Sequence, residues 1–327
     1  MLVATLWVLA GLAALATYID GMVATDVERT RLYRQSIQDE LHRHGTEATL
    51  LYLLSTGRMS YRGLVLEEEQ RFLRSFDDPD LPPGDGELAM AGQVYTGLGR
   101  MRYFVQDEQG LVPVNIPSSP VLSAVLERAG IARGDVARII PRLRDYIDLD
   151  SQLSLDGAEG FDYRQQGQPS PANWYLAGPM ELRKVLGVGH LISPAQWQRL
   201  SPLLSVRAAG DYNFNTMQPQ VLAALLGLDR DGVQQVLDAR AERSINRPSQ
   251  IARLTGRQPR IDDQSIVMFP SPYVRIAIWP AGGARRSVAG FSLTPNGVVP
   301  WRTEYRYSEL VLDDGPENPQ KAATPLL

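Results

Sequence analysis

The chain begins with MLVATLWVLAGLAALATYI, a run with no charged residue in which only small hydroxyls and aromatic rings interrupt the aliphatic side chains. As a helix, nineteen such residues extend about 28 Å, close to the thickness of a bilayer core. This predicts a membrane-inserting helix over Met1 to about Ile19. A cleaved secretory signal needs a basic n-region and a small-residue cleavage site, and neither is clear here. Arg29, Arg31 and Arg34 follow the run and no basic residue precedes it, so the positive-inside rule alone would leave the body of the protein in the cytoplasm. Prior removal of a short basic leader would reverse that assignment.

The helix does not end with the apolar run. Beyond Asp26, Tyr33, Ile37, Leu41, His44, Ala48 and Leu51 recur at steps of three and four, which predicts an amphipathic continuation packed on a globular body and ending near Gly57 and Gly63. His42 and His44, two apart, point to different faces and cannot form a metal pair.

DDPDLPPGDG (Asp77 to Gly86) is a loop by composition. GELAMAGQVYTG, RMRYFVQDE and LVPVNI then read as two or three antiparallel strands. SSPVLSAVLERAGI and ARGDVARIIPRLRDYI read as helices, the first with a serine cap and proline at its start. After a mostly helical stretch come SIVMF, YVRIAIWP, SVAGFSLTP and VVPWRTEYRY, again strand-like. The order of helix, strands, helices and strands predicts an α+β body with a helical insertion dividing one sheet. We accordingly divide the chain into a membrane and amphipathic helix (1–57), a first part of the body (58–117), a helical insertion (118–259), the last strands of the body (260–312) and a disordered tail (313–327).

The insertion holds a repeat. GPMELRKVLGVG and QPQVLAALLGLD align at an offset of forty, matching Pro179 with Pro219, Leu182 with Leu222, Leu186 with Leu226 and Gly187 with Gly227. This predicts two copies of one helical hairpin. The second copy resembles the helix-hairpin-helix module, with Asn213, Asn215 and Thr216 leading in and Leu226-Gly227-Leu228 at the turn. A membrane-anchored DNA-binding protein is therefore the alternative reading of the whole chain. Asp229 stands where DNA-binding members carry a second glycine, and a carboxylate there repels phosphate. The formal charge of −4 gives no general case for nucleic acid either. With no cysteine, disulfides, thiolate chemistry and cysteine-ligated zinc are excluded. The nucleophile-elbow, phosphate-loop and zinc-protease motifs are also missing, and His190 lies in an ordinary Gly-His-Leu turn, so no enzyme activity is expected.

Between Arg144 and Arg164, six carboxylates (Asp145, Asp148, Asp150, Asp156, Glu159 and Asp162) occur with no basic residue among them. Like charges so crowded raise one another's pKa unless something neutralises them. A metal site, a catalytic pair and a solvated loop are the three readings. Counted as a calcium loop from Asp148, Asp150, Asp156 and Glu159 fall at ligand positions, but Leu153 stands where the turn of an EF-hand requires glycine. An oxygen cage of another shape, suited to calcium, remains open beside the solvated loop.

DYIDLDSQLSLDGAEGFDY, PANWYLAGPMELRKVLGV and NFNTMQPQVLAALLGL, in this order behind a pilin-like helix, resemble the K-type minor pseudopilins of type II secretion. The resemblance implies a pilin-like fold with an inserted helical domain, one pass through the inner membrane and a globular part in the periplasm. It implies a structural subunit at the pseudopilus tip that initiates and caps filament assembly with I-type and J-type partners. A leader upstream would be removed by prepilin peptidase. Position 5 from Met1 is Thr5, and the K-type as a rule lacks the glutamate other pilins carry there. The family binds calcium, which favours the metal reading, with Asp148, Asp150 and Glu159 first among the ligands and Asp156 and Asp162 beside them.

Overall fold

The computed structural model describes residues 2–66, 86–259, 261–294 and 297–311. The loop expected over Asp77 to Gly86 lies outside these but for Gly86, and so does the tail expected over 313–327.

One unbroken α-helix covers Leu2–Thr56, 55 residues, and its apolar N-terminal stretch is wholly exposed. Thr17, Thr25 and Thr30 turn their hydroxyls back to the carbonyls of Ala13, Gly21 and Asp26, so each polar group is satisfied within the helix. Only the last turns meet the body. Thr46, Leu50, Leu51 and Leu54 are buried, and the three leucines join Leu64, Leu88, Tyr103, Val105, Ile276 and Phe291 in one core. Of the expected stripe only Leu51 packs; Tyr33, Ile37, Leu41, His44 and Ala48 are exposed. The face turned to the body is held instead by charge. Asp39 pairs with Arg100 at 2.5 Å and Glu47 with Arg306 at 2.7 Å. The helix ends at Thr56, and only glycine fits at 57, where a Cβ would lie 2.3 Å from Leu64 Cδ1 and 2.6 Å from the Leu53 carbonyl.

The main sheet is antiparallel, in the order Trp301–Leu310, Arg285–Leu293, Tyr273–Pro280, Met101–Asp107 and Tyr95–Thr96. Ile276 sits opposite both Val105 and Ala289, so a strand from before the helical region pairs directly with one from after it. A second antiparallel sheet joins Arg58–Met59, Gly63–Val65 and Glu87–Ala89. Two expected strands behave differently. Val112–Pro113 pairs in parallel with Leu204–Ser205, and Ile266–Val267 with Tyr212–Asn213. Both runs therefore tie the insertion to the body and stand apart from the main sheet.

The helical region has its own core. Helices Pro120–Arg128, Arg133–Ile147, Pro219–Leu226 and Arg230–Glu242 contribute Leu122, Val125, Ile139, Leu143, Leu222, Leu225 and Val236 to it. The two copies of the repeat both turn on a left-handed glycine, Gly187 at φ 77° and Gly227 at φ 65°. They differ in what precedes it, since Pro179–Lys184 is a 3-10 helix whereas Pro219–Leu226 is an α-helix.

Buried polar groups fill the seam between the two cores. Asp107 ends its strand and accepts from Thr216 Oγ1 at 2.7 Å, Ser271 Oγ at 2.7 Å and the amides of Ser271 and Gln109. Burial pushes its pKa up, and these bonds work against that shift. The next residue, Glu108, faces Arg275 at 3.1 Å, with Tyr305 hydroxyl 2.5 Å from the same carboxylate oxygen. Arg275 also donates to the carbonyls of Pro202 and Leu204 in the insertion. Gly290 makes room for this group, because a Cβ there would lie 2.2 Å from the Tyr305 ring.

Removing one partner of a buried, hydrogen-bonded ion pair leaves an uncompensated charge, at a cost of about 3–5 kcal/mol. Arg275→Met is expected to lower unfolding stability by that amount, and Arg275→Met with Glu108→Leu by clearly less. Denaturant unfolding of the full chain in detergent measures both.

Candidate metal centre

The acidic stretch is built around the end of the helix Arg133–Ile147. Asp145 lies in its last turn and Asp148 caps it, so spacing of three places both carboxylates on one side. This is the negative end of the helix dipole, where further negative charge is unfavourable and a cation is favoured. Asp145 is completely buried, and its Oδ2 accepts from the amides of Ser154 at 3.1 Å and Ala158 at 3.0 Å. The loop 148–159 thus folds back over Asp145. Only glycine fits at 157, since a Cβ there would be 1.9 Å from Asp145 Oδ2.

Asp150 Oδ1 accepts from the Gln152 amide at 2.8 Å, a local turn of the Asx kind. Its carbonyl accepts from Asn173 Nδ2 at 2.8 Å, and the Asn173 amide reaches the Tyr146 carbonyl at 3.0 Å. Asn173 is thereby drawn to the cluster from a distant loop, in the left-handed conformation at φ 45°. Glu159, also buried, follows at the start of the short helix Gly160–Gln165. Four shielded oxygens have no hydrogen-bond partner: Asp145 Oδ1, Asp148 Oδ1, Glu159 Oε1 and Asn173 Oδ1. Native interiors rarely leave such acceptors unmet, and an ion is one of the standard explanations.

The electrostatics point the same way. Burial raises the pKa of Asp148, and Asp150 and Asp145 raise it further. Burial likewise raises that of Glu159, with Asp145 and Asp148 adding to it. Among the described residues no three His, Asp or Glu side chains are gathered closely enough to enclose an ion. The donor chemistry nonetheless fits a hard cation, with carboxylates and an amide oxygen in irregular array as calcium accepts.

The structure brings Asp148, Asp150 and Glu159 into one electrostatic group. The other two expected ligands are placed differently: Asp162 Oδ2 accepts from the Glu159 amide at 2.9 Å and caps the following helix, and Asp156 is exposed at φ 61°. Asp145 and Asn173 stand in the same cluster and were not among the residues the sequence singled out. The Asp145–Asp148 spacing on a helix was a usable signal; Asn173 offered none. The histidines take no part, His44 pairing with Glu40 at 2.9 Å and His190 lying exposed.

At the hairpin turn, the Asp229 carboxylate accepts from the Gly232 amide at 2.9 Å and caps Arg230–Glu242. A carboxylate already occupies this helix start and adds negative charge there, which opposes a phosphate. Asn213 and Asn215 serve packing instead: Asn213 Oδ1 accepts from the Asn215 amide, and the Asn215 side chain bridges Ile245 and Met268.

Residues 105–209, which contain the whole acidic cluster, match the family model described as type II secretion system (T2SS), protein K. A putative type II secretion system protein K of Escherichia coli strain K12 is 36% identical over 106 residues, covering 32% of this chain and 31% of that protein. The chain thus aligns with about a third of the length of this curated relative. The fold is similar to a chain in the crystal structure of the GspK-GspI-GspJ complex from the type 2 secretion system of enterotoxigenic Escherichia coli. The TM-score is 0.57 at 18% identity, over 86% of this chain and 99% of that one.

The raised values of Asp148 and Glu159 set a pH dependence. The folded state binds their protons more tightly than the unfolded chain, whose ordinary values are 3.8 and 4.5. Their destabilising effect is absent below those values and grows as pH rises through the raised ones. In chelator, the unfolding midpoint should fall as pH rises above about 4. Millimolar calcium should abolish the fall. At pH 7, Asp148→Asn should gain stability in chelator and lose calcium affinity about tenfold or more by calorimetry. Unchanged affinity would place the ligands elsewhere.

Proposed function

We propose that this chain, a member of the type II secretion system protein K family through its residues 105–209, is a non-enzymatic minor pseudopilin that initiates and caps a short filament during protein export. The observation that carries the reading is the union in one chain of the protein K segment with a 55-residue helix whose first half is apolar and uncovered. Such a helix fits a single-pass anchor in the inner membrane, with the globular part in the periplasm.

The partners proposed are I-type and J-type minor pseudopilins, by analogy with the complex whose fold this chain shares. Two features of the helix support lateral assembly. Gly11, Ala13 and Ala14 allow close approach of neighbouring helices within the bilayer, and a Cβ on Gly11 would meet nothing within 4 Å. Beyond the apolar stretch, Tyr33, Ile37 and Leu41 form an exposed apolar row that the body leaves uncovered. The insertion adds bulk at the far end of the helix, which supports a subunit that limits further addition.

Calcium is proposed as a structural pin, held by Asp145, Asp148, Asp150 and Glu159 with the Asn173 carbonyl oxygen. It would neutralise the acids and fix the helix end, the loop 148–159 and the Asn173 segment in one arrangement. Asp156 and Asp162 lie on its margin.

Full-length protein purified from detergent should bring down other pilin-like subunits, and a deletion strain should stop exporting its substrates. Leu41→Arg, at a position 66% exposed, should leave unfolding stability within about 0.5 kcal/mol and reduce the recovered partners about tenfold. Recovery of no pilin-like protein, or normal export without the gene, sinks the assembly reading.

A further inference from the structure

A cavity of about 270 Å³ lies where the small sheet meets the helical insertion. Arg62, Gln93, Asn215, Gln218, Leu237 and Arg240 are among its lining residues, and no aspartate or glutamate is. Arg62 sits in the turn between Arg58–Met59 and Gly63–Val65. That turn is fixed through its backbone, with the Ser60 hydroxyl accepting the amides of Arg62 and Gly63 at 3.2 Å and the Arg62 carbonyl accepting from Met90 at 2.9 Å. Arg240 approaches from the long hairpin helix. One of its terminal nitrogens donates to the carbonyls of Phe214 at 3.1 Å and Met217 at 2.7 Å.

Among the described residues neither guanidinium forms an ion pair. This sets them apart from Arg275, Arg286 and Arg306, each matched to a glutamate. A half-buried cation without a counter-charge is only partly compensated for the hydration it loses, and a second one facing the same space adds repulsion. Burial first, and Arg62 second, push the pKa of Arg240 down to about 10, which still leaves it charged at neutral pH. The arrangement has positive charge, planar donor forks and space between the two, and lacks only the acceptor.

We propose that Arg62 and Arg240 bind a small doubly charged oxyanion, inorganic phosphate or a short dicarboxylate, in this cavity. The volume admits such an ion. Guanidinium forks match the oxygen spacing of both carboxylate and phosphate, and two of them favour a dianion over chloride. Bound there, the anion links the turn of the small sheet to the helix of the insertion and removes the repulsion between the two arginines.

The test titrates inorganic phosphate and, separately, succinate into the full chain in uncharged detergent without calcium, by calorimetry, with chloride matching ionic strength. Saturable binding of either anion at one site, weakened about tenfold or more in Arg62→Gln and partly restored in Arg62→Lys, is the expected result. Arg240 also holds two backbone carbonyls, so Arg62 is the variant that keeps the fold intact. As a second readout, the anion should raise the unfolding midpoint of the parent chain and leave that of Arg62→Gln unmoved. Binding of neither anion, or equal binding by the parent chain and Arg62→Gln, overturns the proposal.

Discussion

Two adjacent acids, Asp107 and Glu108, stand where the chain leaves the main sheet for the helical insertion. Asp107 gathers Thr216, Ser271 and the amide of Gln109, while Glu108 gathers Arg275 and Tyr305. One junction thereby collects groups from the last strands, the insertion and the strand end itself. A buried ion pair adds little net stability over a well-packed apolar alternative, because desolvation offsets the attraction. What it does supply is selectivity, since any other docking of the insertion would strand these charges without partners. The parallel pairings of Val112–Pro113 and Tyr212–Asn213 then follow from a seam already fixed.

The acidic cluster inverts that logic. At the seam each carboxylate meets a hydroxyl or a guanidinium, with Glu108 Oε2 alone left bare, whereas around Asp145 the carboxylates gather beside one another and the negative end of a helix. Backbone amides satisfy Asp145 Oδ2, and its other oxygen is left bare beside those of Asp148 and Glu159. The difference lies in whether a guanidinium or hydroxyl was brought from elsewhere, which only tertiary structure decides.

Much of this architecture is legible in the sequence. The N-terminal helix, the last three strands of the main sheet and the left-handed glycines Gly187 and Gly227 follow from local rules of periodicity, β-propensity and capping. The face of the helix that meets the body did not follow, because apolar periodicity is blind to Asp39 and Glu47, which find Arg100 and Arg306 across the fold. Glu108 and Arg275, separated by 167 positions, carry no local signal of their pairing. At the acidic stretch, spacing picked out Asp148, Asp150, Asp156 and Glu159 together and could not tell the exposed Asp156 from the other three. Asp145 was legible in principle from its place on the helix face, and Asn173 was not, being recruited by a backbone carbonyl from outside the stretch.

The first helix runs from Leu2 to Thr56 with neither proline nor a break, about 80 Å at the ordinary rise per residue. Mechanically it is a strut. A displacement along its axis at the apolar end arrives at Leu50, Leu51 and Leu54 with no hinge to absorb it, and the charge contacts at Asp39 and Glu47 resist rotation about that axis. The first place able to yield is Gly57, wedged against Leu64, so thrust entering at the apolar end is delivered to the sheet as a whole rather than to a flexible joint.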